Sequence, residues 1–218
     1  MRVQPIKRLE FWFDFASTYS YVAAMRIQGL CSQRDVDLEW RPFALGPIFQ
    51  MQGWDDSPFN LNARRGAYMW RDMERLAKKG NLPWRKPSVF PRNSVLAARI
   101  ACAADSQTWC GDFIRRVFVG NFGEDLDIGD PSILAALLDE VGAPEGFPEK
   151  ATSPEFRGSL RRNTEIAIDL GIFGAPNCVV NGELFWGEEA LEDALDWATL
   201  TRPARGESPS PAPPPLNV

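Results

Sequence analysis

Apolar residues dominate the first strand-like segment of the chain, at residues 9–15. Phe11, Phe13 and Phe15 alternate along this segment and share one face, while Trp12 stands on the opposite face. Large apolar side chains on both faces are typical of a strand that is buried on both sides. The segment therefore predicts a strand inside the fold.

A helical pattern and a second strand follow. Residues 20–33 have the spacing of an amphipathic helix, with Tyr21, Met25 and Cys31 among the side chains that can pack inward. Residues 36–42 then alternate between apolar and charged side chains and stop at Pro42. The chain thus opens strand–helix–strand, and the connection is long enough for the two strands to pair in parallel.

The middle of the chain is mostly helical in pattern. It begins with a predicted loop at 46–59 that is rich in Gly, Pro, Asp and aromatic residues. Asp130 and Ser153 each precede a proline, which is the pattern of an N-cap followed by proline at the first helical position, and Gly171 marks a helix end. Together with the apolar spacing, these signals predict helices at 64–79, from Asn93 onward, and at 107–120, 132–141 and 154–170.

Strand character returns near the end of the chain. Residues 177–180 and 184–186 have strand patterns, and the intervening Asn181-Gly182 is typical of a tight hairpin turn. An amphipathic helix at 188–197 follows. The proline- and serine-rich tail at 203–218 is predicted to be disordered.

The order βαβ, then helices, then ββα predicts the fold class. It is the order of an α/β, thioredoxin-like fold in which an all-helical domain is inserted after the second strand. We expect residues 1–45 and 171–202 to form the thioredoxin-like domain, and residues 46–170 to form the inserted helical domain.

The amino-acid composition argues against several kinds of partner and catalytic site. The 218 residues include 24 Lys and Arg against 29 Asp and Glu, with no basic cluster, which argues against nucleic acid as a partner. The chain has no histidine, which excludes His-based triads and imidazole acid–base catalysis. Its four cysteines form neither a Cys-x-x-Cys pair nor a zinc-ligand spacing, so we expect no metal site.

The sequence gives no sign of a membrane segment. No stretch is apolar over the roughly 20 residues that a membrane span needs, and residues 1–10 lack the apolar run of a signal peptide. We therefore expect no membrane partner, and a cytoplasmic protein whose thiols are reduced.

Ser17-Thr18-Tyr19-Ser20 lies at the start of the first predicted helix. A Cys-x-x-Cys pair at such a position exchanges dithiols and disulfides, because the first thiol has a depressed pKa and the second resolves the mixed disulfide. Two serines cannot do this. What remains is a helix N-terminus with a hydroxyl at its tip, suited to hold a thiolate that a cofactor supplies. An ordinary serine helix cap is the alternative interpretation.

Three further groups can carry chemistry, and each has a simpler interpretation. Gly174-Ala175-Pro176 can hold a cis proline with an exposed Ala175 backbone, or can be a plain turn. Glu188 and Glu189 can receive the amino group of a peptide-like ligand, or can complement a helix dipole. The third group consists of Trp54, Asp55, Arg64 and Arg65. These residues can line a pocket for an acidic substrate, or can simply be solvated side chains on the surface.

Five motifs in a fixed order carry a resemblance to a known family. They are Phe13-Asp14-Phe15-x-Ser17-x-Tyr19-Ser20-Tyr21, Trp40-Arg41-Pro42-Phe43, Ser88-Val89-Phe90-Pro91, Gly171-Ile172-Phe173-Gly174-Ala175-Pro176 and Gly182-Glu183-Leu184-Phe185-Trp186-Gly187. With them the chain resembles the 2-hydroxychromene-2-carboxylate isomerases, within the DsbA-like, kappa-class glutathione transferase group. The likeness covers about residues 8–198.

The resemblance implies a glutathione cofactor and a homodimer. The implied cofactor contacts are Ser17 at the sulfur, Ala175 and a cis-Pro176 at the cysteinyl part, Arg65 near the glycyl carboxylate, and Trp186, Gly187, Glu188 and Glu189 at the γ-glutamyl end. We expect the substrate pocket to include Tyr19, Trp54, Asp55 and Arg64, in an aromatic-lined cleft between the two domains.

We therefore expect a glutathione-dependent cis–trans isomerase of aromatic degradation, acting on 2-hydroxychromene-2-carboxylate or a related unsaturated aromatic acid. A kappa-type glutathione transferase or peroxidase is the first alternative, and stoichiometric loss of glutathione would reveal it. A non-catalytic thioredoxin-fold binding module is the second alternative. Asp55 and Glu188 favour it, and failure to bind glutathione would be its sign.

Overall fold

A mixed sheet lies at the centre of the molecule. The computed structural model describes residues 7–147, 151 and 153–200, and the predicted disordered tail at 203–218 lies outside them. Within these residues the strands are β1 (Arg8–Phe13), β2 (Asp37–Pro42), β3 (Asn177–Val180) and β4 (Glu183–Trp186), in the sheet order β2–β1–β3–β4. β1 and β2 pair in parallel, as predicted, while β3 pairs antiparallel with both β1 and β4.

Helices fill most of the remaining described sequence. α1 (Thr18–Arg34) joins β1 to β2. The helices between β2 and β3 are α2 (Leu45–Met51), α3 (Pro58–Leu61), α4 (Ala63–Gly80), α5 (Val95–Ala103), α6 (Cys110–Gly123), α7 (Pro131–Glu140) and α8 (Pro154–Asp169), and α9 (Leu191–Leu200) follows β4. The order βαβ, helices, ββα confirms the thioredoxin-like fold class. The division into two domains at residues 45 and 171 stays a prediction.

Alternate residues of β1 face two separate hydrophobic clusters. Phe11 and Phe13 are fully buried in the larger cluster, together with Tyr21 of α1 and residues of α5, α6 and α7. Trp12 is also buried, but it faces the smaller cluster with Phe43 and Ile48. Burial of each such side chain contributes about 1.5–3 kcal/mol. β1 is therefore buried on both faces, as its sequence pattern predicts.

The segment at 46–59, predicted as a loop, contains helical turns. α2 begins at Leu45, where the backbone N–H donates to the buried carboxylate of Asp14, and Ile48 packs into the smaller cluster. α3 begins at Pro58, because the Ser57 hydroxyl accepts a hydrogen bond from the Phe59 N–H. A contact with Asp14, thirty-one residues earlier in the chain, leaves no local signal in the sequence.

The hairpin turn between β3 and β4 has the predicted geometry. Asn181 and Gly182 both have positive φ, at 53° and 84°. This is the requirement of the type I′ turn, which Asn-Gly satisfies with little strain. The last helix begins at Leu191, three residues later than the predicted start at 188.

In the described part of the chain, no helix combines the length and apolarity needed to cross a membrane. The same residues include no group of three or more side chains placed to hold a metal ion.

Asp14 connects three separate segments at the end of β1. Its carboxylate accepts hydrogen bonds from the Ala16 N–H at 2.8 Å, the Leu45 N–H at 2.8 Å and the Ser94 hydroxyl at 2.7 Å. The side chain is 4 % exposed, and burial raises its pKa against the opposing effect of these hydrogen bonds. Asp14 thus ties the chain before Ser17 to the starts of α2 and α5.

A second buried polar group holds the next residue along the chain. The side-chain amide of Asn121, on α6, donates to the Phe15 carbonyl at 3.0 Å and accepts from Arg92 at 3.3 Å. Arg92 in turn pairs with Asp125 at 2.5 Å. Hydrogen bonds from the Ser88 backbone and from Arg92 lower the pKa of Asp125 to about 2. The loop between β1 and α1 is therefore held by buried side chains of the helical segment.

Replacing Asp14 by alanine should destabilise the protein strongly. Asp14→Ala leaves the buried Ser94 hydroxyl and the partly buried N–H groups of Ala16 and Leu45 without their acceptor, so we expect the free energy of unfolding to fall by about 3 kcal/mol. Denaturant unfolding measures this change. The matched control is Asp139→Ala, on the exposed surface of α7, which should change stability by no more than about 0.5 kcal/mol. Equal effects of the two variants would contradict the role of Asp14.

Candidate thiol-binding site

Ser17 is the N-cap of α1, at the point where the buried strand ends. Its backbone is extended, with φ −84° and ψ 119°, and its Oγ accepts a hydrogen bond from the Ser20 N–H at 3.2 Å. The first turn of α1 contains no acidic residue. The positive end of the helix dipole is therefore free to stabilise a bound anion next to Ser17.

The loop before β3 meets Ser17 across the sheet. The Ser17 hydroxyl donates to the Ala175 carbonyl at 3.2 Å, although 158 residues separate the two in sequence. The Ala175–Pro176 peptide bond is cis, as predicted from the sequence. A carbonyl and a hydroxyl thus lie side by side at the start of α1.

A cavity of about 720 Å³ opens at this point. Its lining is largely apolar and includes aromatic side chains from four parts of the chain, namely Phe49, Phe59, Phe90 and Phe173. Seven of the residues predicted to contact the cofactor or the substrate line this cavity, namely Ser17, Tyr19, Trp54, Asp55, Arg65, Ala175 and Trp186. The topology therefore brings the serine at the helix start, the proline loop and the 46–65 segment to one place.

Arg65 and Arg64 do not both face the cavity. Arg65 lines it and Arg64 does not, because successive residues on a helix point about 100° apart. The Asn62 side chain caps α4 by accepting from both backbone N–H groups at 3.1 Å. Among the described residues, the Arg65 guanidinium has no hydrogen bond or ion pair, so its charge is available to a ligand. The structure differs here from the prediction that Arg64 lines the substrate pocket.

A glycine on α4 allows the cavity wall to close. A Cβ on Gly66 would lie 2.3 Å from the Phe59 carbonyl oxygen, well inside van der Waals contact. Only glycine at this position lets α3 pack against α4. This packing places Phe59 of α3 next to Gly66, the residue that follows Arg65 on α4. Phe59 and Arg65 both line the cavity.

Tyr19 presents its ring to the cavity while its hydroxyl is engaged elsewhere. The hydroxyl donates to Asp72 at 3.1 Å, and the ring lies 6.1 Å from that of Phe59. Burial, followed by the charge of Asp72, raises the pKa of Tyr19. Tyr19 is therefore a neutral aromatic wall, and its proton is not available as a general acid near neutral pH.

The acidic pair after β4, Glu188 and Glu189, lies outside the cavity lining. Glu188 forms an ion pair with Arg26 of α1 at 3.1 Å, and its side chain is 11 % exposed. Burial raises the pKa of Glu188, and Arg26 opposes that shift. The Gly187 N–H donates to the Pro176 carbonyl at 3.0 Å. None of Pro176, Gly187, Glu188 and Glu189 lines the cavity as it stands, so their contact with a ligand stays a prediction.

Sequence reasoning missed several residues that shape the site. Three of them line the cavity, namely Asp14, Ser94 and Arg92. Asp14 also binds the loop before Ser17 directly, and Arg92 supports that loop through Asn121. Phe90 and Phe173 stand within motifs that the sequence offers, but no periodicity assigns them to a pocket. Phe173 packs against Trp186 with ring centroids 4.9 Å apart, and both side chains are about half exposed at the cavity mouth.

One protein-family model matches most of the chain. The model of the DSBA-like thioredoxin domain matches residues 8–196, which is nearly the whole described chain. The chain belongs to the DSBA-like thioredoxin domain family.

Individual relatives are modest in identity but broad in coverage. The chain is 28% identical over 188 residues to a 2-hydroxychromene-2-carboxylate isomerase of Sphingobium xenophagum, covering 85% of this chain and 95% of that protein. It is 25% identical over 181 residues to glutathione S-transferase kappa 1 of Caenorhabditis elegans, covering 78% and 79% of the two chains.

A solved structure of a 2-hydroxychromene-2-carboxylate isomerase has the same fold. It superimposes with a TM-score of 0.76 at 23% identity, covering 87% of this chain and 94% of that chain.

This DSBA-like domain carries no cysteine in its cavity lining. Cys31, Cys102 and Cys110 are free thiols, and burial raises the pKa of each to about 12. Burial also raises the pKa of Cys178, the cysteine nearest the proline loop in sequence. At neutral pH these thiols are protonated and poor nucleophiles. A thiolate at Ser17 must therefore come from a ligand.

Proposed function

We propose that the protein is a glutathione-dependent cis–trans isomerase acting on 2-hydroxychromene-2-carboxylate or a related unsaturated aromatic acid. The observation that carries the proposal is the Ser17 hydroxyl at the start of α1, beside the Ala175 carbonyl and on an apolar cavity that has no cysteine in its lining. Relatives of this chain include an isomerase of this name and a kappa-class glutathione transferase.

The residues present fit two groups of glutathione, its sulfur and its glycyl carboxylate. The N-terminus of α1 and the Ser17 hydroxyl favour an anionic sulfur, since both act on negative charge at the same point. The guanidinium of Arg65, which has no partner among the described residues, can receive the glycyl carboxylate. At the γ-glutamyl end we propose Trp186, Gly187, Glu188 and Glu189, with Arg26 neutralising Glu188.

The protein's own groups bind and orient the reactants. When bound, glutathione supplies a thiolate that adds reversibly to a conjugated carbonyl compound and leaves again after rotation about the former double bond. Ser17 holds the sulfur, and the Ala175 backbone orients the cysteinyl part. The aromatic walls, including Tyr19 and Trp54, exclude water and receive the flat substrate. Ser17, the proposed catalytic residue, needs no partner histidine.

A kappa-type glutathione transferase or peroxidase is the second candidate, favoured by the relative in Caenorhabditis elegans. It would use the same site but consume glutathione. The homodimer and the role in aromatic degradation stay predictions from the resemblance, and the cytoplasmic location stays a prediction from the sequence pattern.

The test of function is isomerisation with glutathione in catalytic amount. We expect the purified protein to interconvert 2-hydroxychromene-2-carboxylate and its open-chain isomer only when glutathione is present. The thiol concentration should stay constant through many turnovers, because each addition is followed by elimination. Stoichiometric loss of thiol would assign the transferase function instead. Failure of glutathione to bind would identify a binding module and contradict both enzymatic functions.

The variant Ser17→Ala tests the role of the serine in the same assay. Loss of a charge-assisted hydrogen bond costs roughly 1.5–3 kcal/mol, so kcat near pH 7 should fall about ten- to a hundredfold. The loss should be partly recovered at higher pH, because the hydroxyl favours the thiolate over the thiol and its removal raises the pKa of the bound thiol. An unchanged pH–rate profile would show that Ser17 only caps α1 and does not stabilise the bound thiolate.

Arg65 and Arg64 form a matched pair for testing the carboxylate contact. Arg65→Ala should raise the Kd of glutathione by roughly three- to tenfold, a modest effect because the guanidinium is exposed to solvent. Arg64→Ala removes the same charge one residue away, outside the cavity lining, and should change the Kd by less than about twofold. Isothermal titration calorimetry measures both. Equal Kd values for the two variants would show that Arg65 does not bind the glycyl carboxylate of glutathione.

A further inference from the structure

Five of the described residues that line the cavity carry charged side chains, namely Asp14, Asp55, Asp56, Arg65 and Arg92. Three of these five are engaged within the protein. Asp14 accepts hydrogen bonds from three donors, and Arg92 pairs with Asp125 at 2.5 Å. Asp56 accepts from the Ser57 N–H at 2.6 Å and from the side-chain amide of Asn60 at 3.0 Å. A ligand could use any of these three side chains only by displacing an existing bond.

The other two charged side chains of the lining are those of Asp55 and Arg65. Neither side chain has a hydrogen bond or ion pair among the described residues. In the proposed function Arg65 receives the glycyl carboxylate of glutathione, so the Asp55 carboxylate remains for the second reactant. An ionised carboxylate only accepts hydrogen bonds. The complementary group on that reactant is therefore a donor.

The backbone on both sides of Asp55 is held in place. The Trp54 N–H donates to the Phe49 carbonyl at 2.9 Å, and the rings of these two residues lie 5.7 Å apart. On the other side, the carboxylate of Asp56 is bound to the Ser57 N–H just before α3. Asp55 thus lies in a short, anchored turn between α2 and α3. Because Phe49 and Trp54 line the same cavity, a flat reactant that packs against them lies beside Asp55.

We propose that Asp55 is a specificity-determining residue, which selects a second reactant with a hydroxyl group on its aromatic system. This inference rests on the proposed function and deepens it, because it names a feature of the substrate class. The hydroxyl donates to the Asp55 carboxylate, and a hydrogen bond to a charged acceptor is roughly twice as strong as one between neutral groups. A carboxylate in the same place would meet a like charge, so the acid group of the substrate lies away from Asp55.

The test compares two acids that differ in one group. The first is the open-chain isomer of 2-hydroxychromene-2-carboxylate, in which ring opening frees a phenol hydroxyl, and the second is the same acid without that hydroxyl. Isothermal titration calorimetry measures the Kd of each acid on protein saturated with S-methylglutathione, whose capped sulfur cannot add to either acid. The wild-type protein should bind the hydroxylated acid about tenfold more tightly. This is the low end for a hydrogen bond to a charged group, because Asp55 is exposed to solvent.

The variants Asp55→Ala and Asp56→Asn separate this hydrogen bond from the overall charge of the cavity. Asp55→Ala removes the acceptor, so the two acids should then bind within about twofold of each other. Asp56→Asn removes one negative charge at the adjacent position but keeps an oxygen for the Ser57 N–H, so the preference should persist. Both variants remove one negative charge from the lining, and only the first should abolish the preference.

Equal binding of the two acids by the wild-type protein would overturn the inference, and so would a preference that persists in Asp55→Ala. Loss of the preference in Asp56→Asn as well would assign it to the charge of the cavity and would also overturn the inference. These results leave the proposed function standing, because the isomerisation assay decides it separately. Absence of glutathione binding to the wild-type protein would overturn both the inference and the proposed function.

Discussion

The carboxylate of Asp14 determines where the site can form. It is buried at the end of the central strand and accepts hydrogen bonds from the loop that leads to Ser17, from the start of α2 and from the Ser94 hydroxyl before α5. A buried acceptor with three donors is expensive to disrupt. The position of the helical segment over the sheet is therefore coupled to the position of the Ser17 tip, and the cavity lies between them.

The chemistry of the site follows from what the helix start does and does not contain. The Ser17 hydroxyl and the α1 dipole can stabilise an anionic sulfur, and the Ala175 carbonyl can accept a hydrogen bond from a ligand. The protein's own cysteines are buried or half-buried, and burial raises their pKa so that they are protonated at neutral pH. None of the protein's own cysteines lines the cavity at this helix start. In the function that we propose, a ligand thiol completes the site, and the apolar walls receive a flat, largely apolar partner for that thiol.

Much of this arrangement could be predicted from the sequence because its signals are local. The alternation around Trp12, the Asn-Gly turn and the serine at the first helix start each depend on a few neighbouring residues. The rest depends on contacts between distant segments. That Arg65 rather than Arg64 faces the cavity, that Arg26 neutralises Glu188, and that α2 begins at a contact with Asp14 all require the tertiary structure.

The most direct test of the thiol-binding site is a crystal structure of the protein with glutathione. We expect the sulfur to lie within hydrogen-bonding distance of Ser17 Oγ, the cysteinyl N–H to donate to the Ala175 carbonyl, and the glycyl carboxylate to lie on the Arg65 side of the cavity. A glutathione molecule bound elsewhere, or bound with its sulfur turned away from the start of α1, would contradict the account.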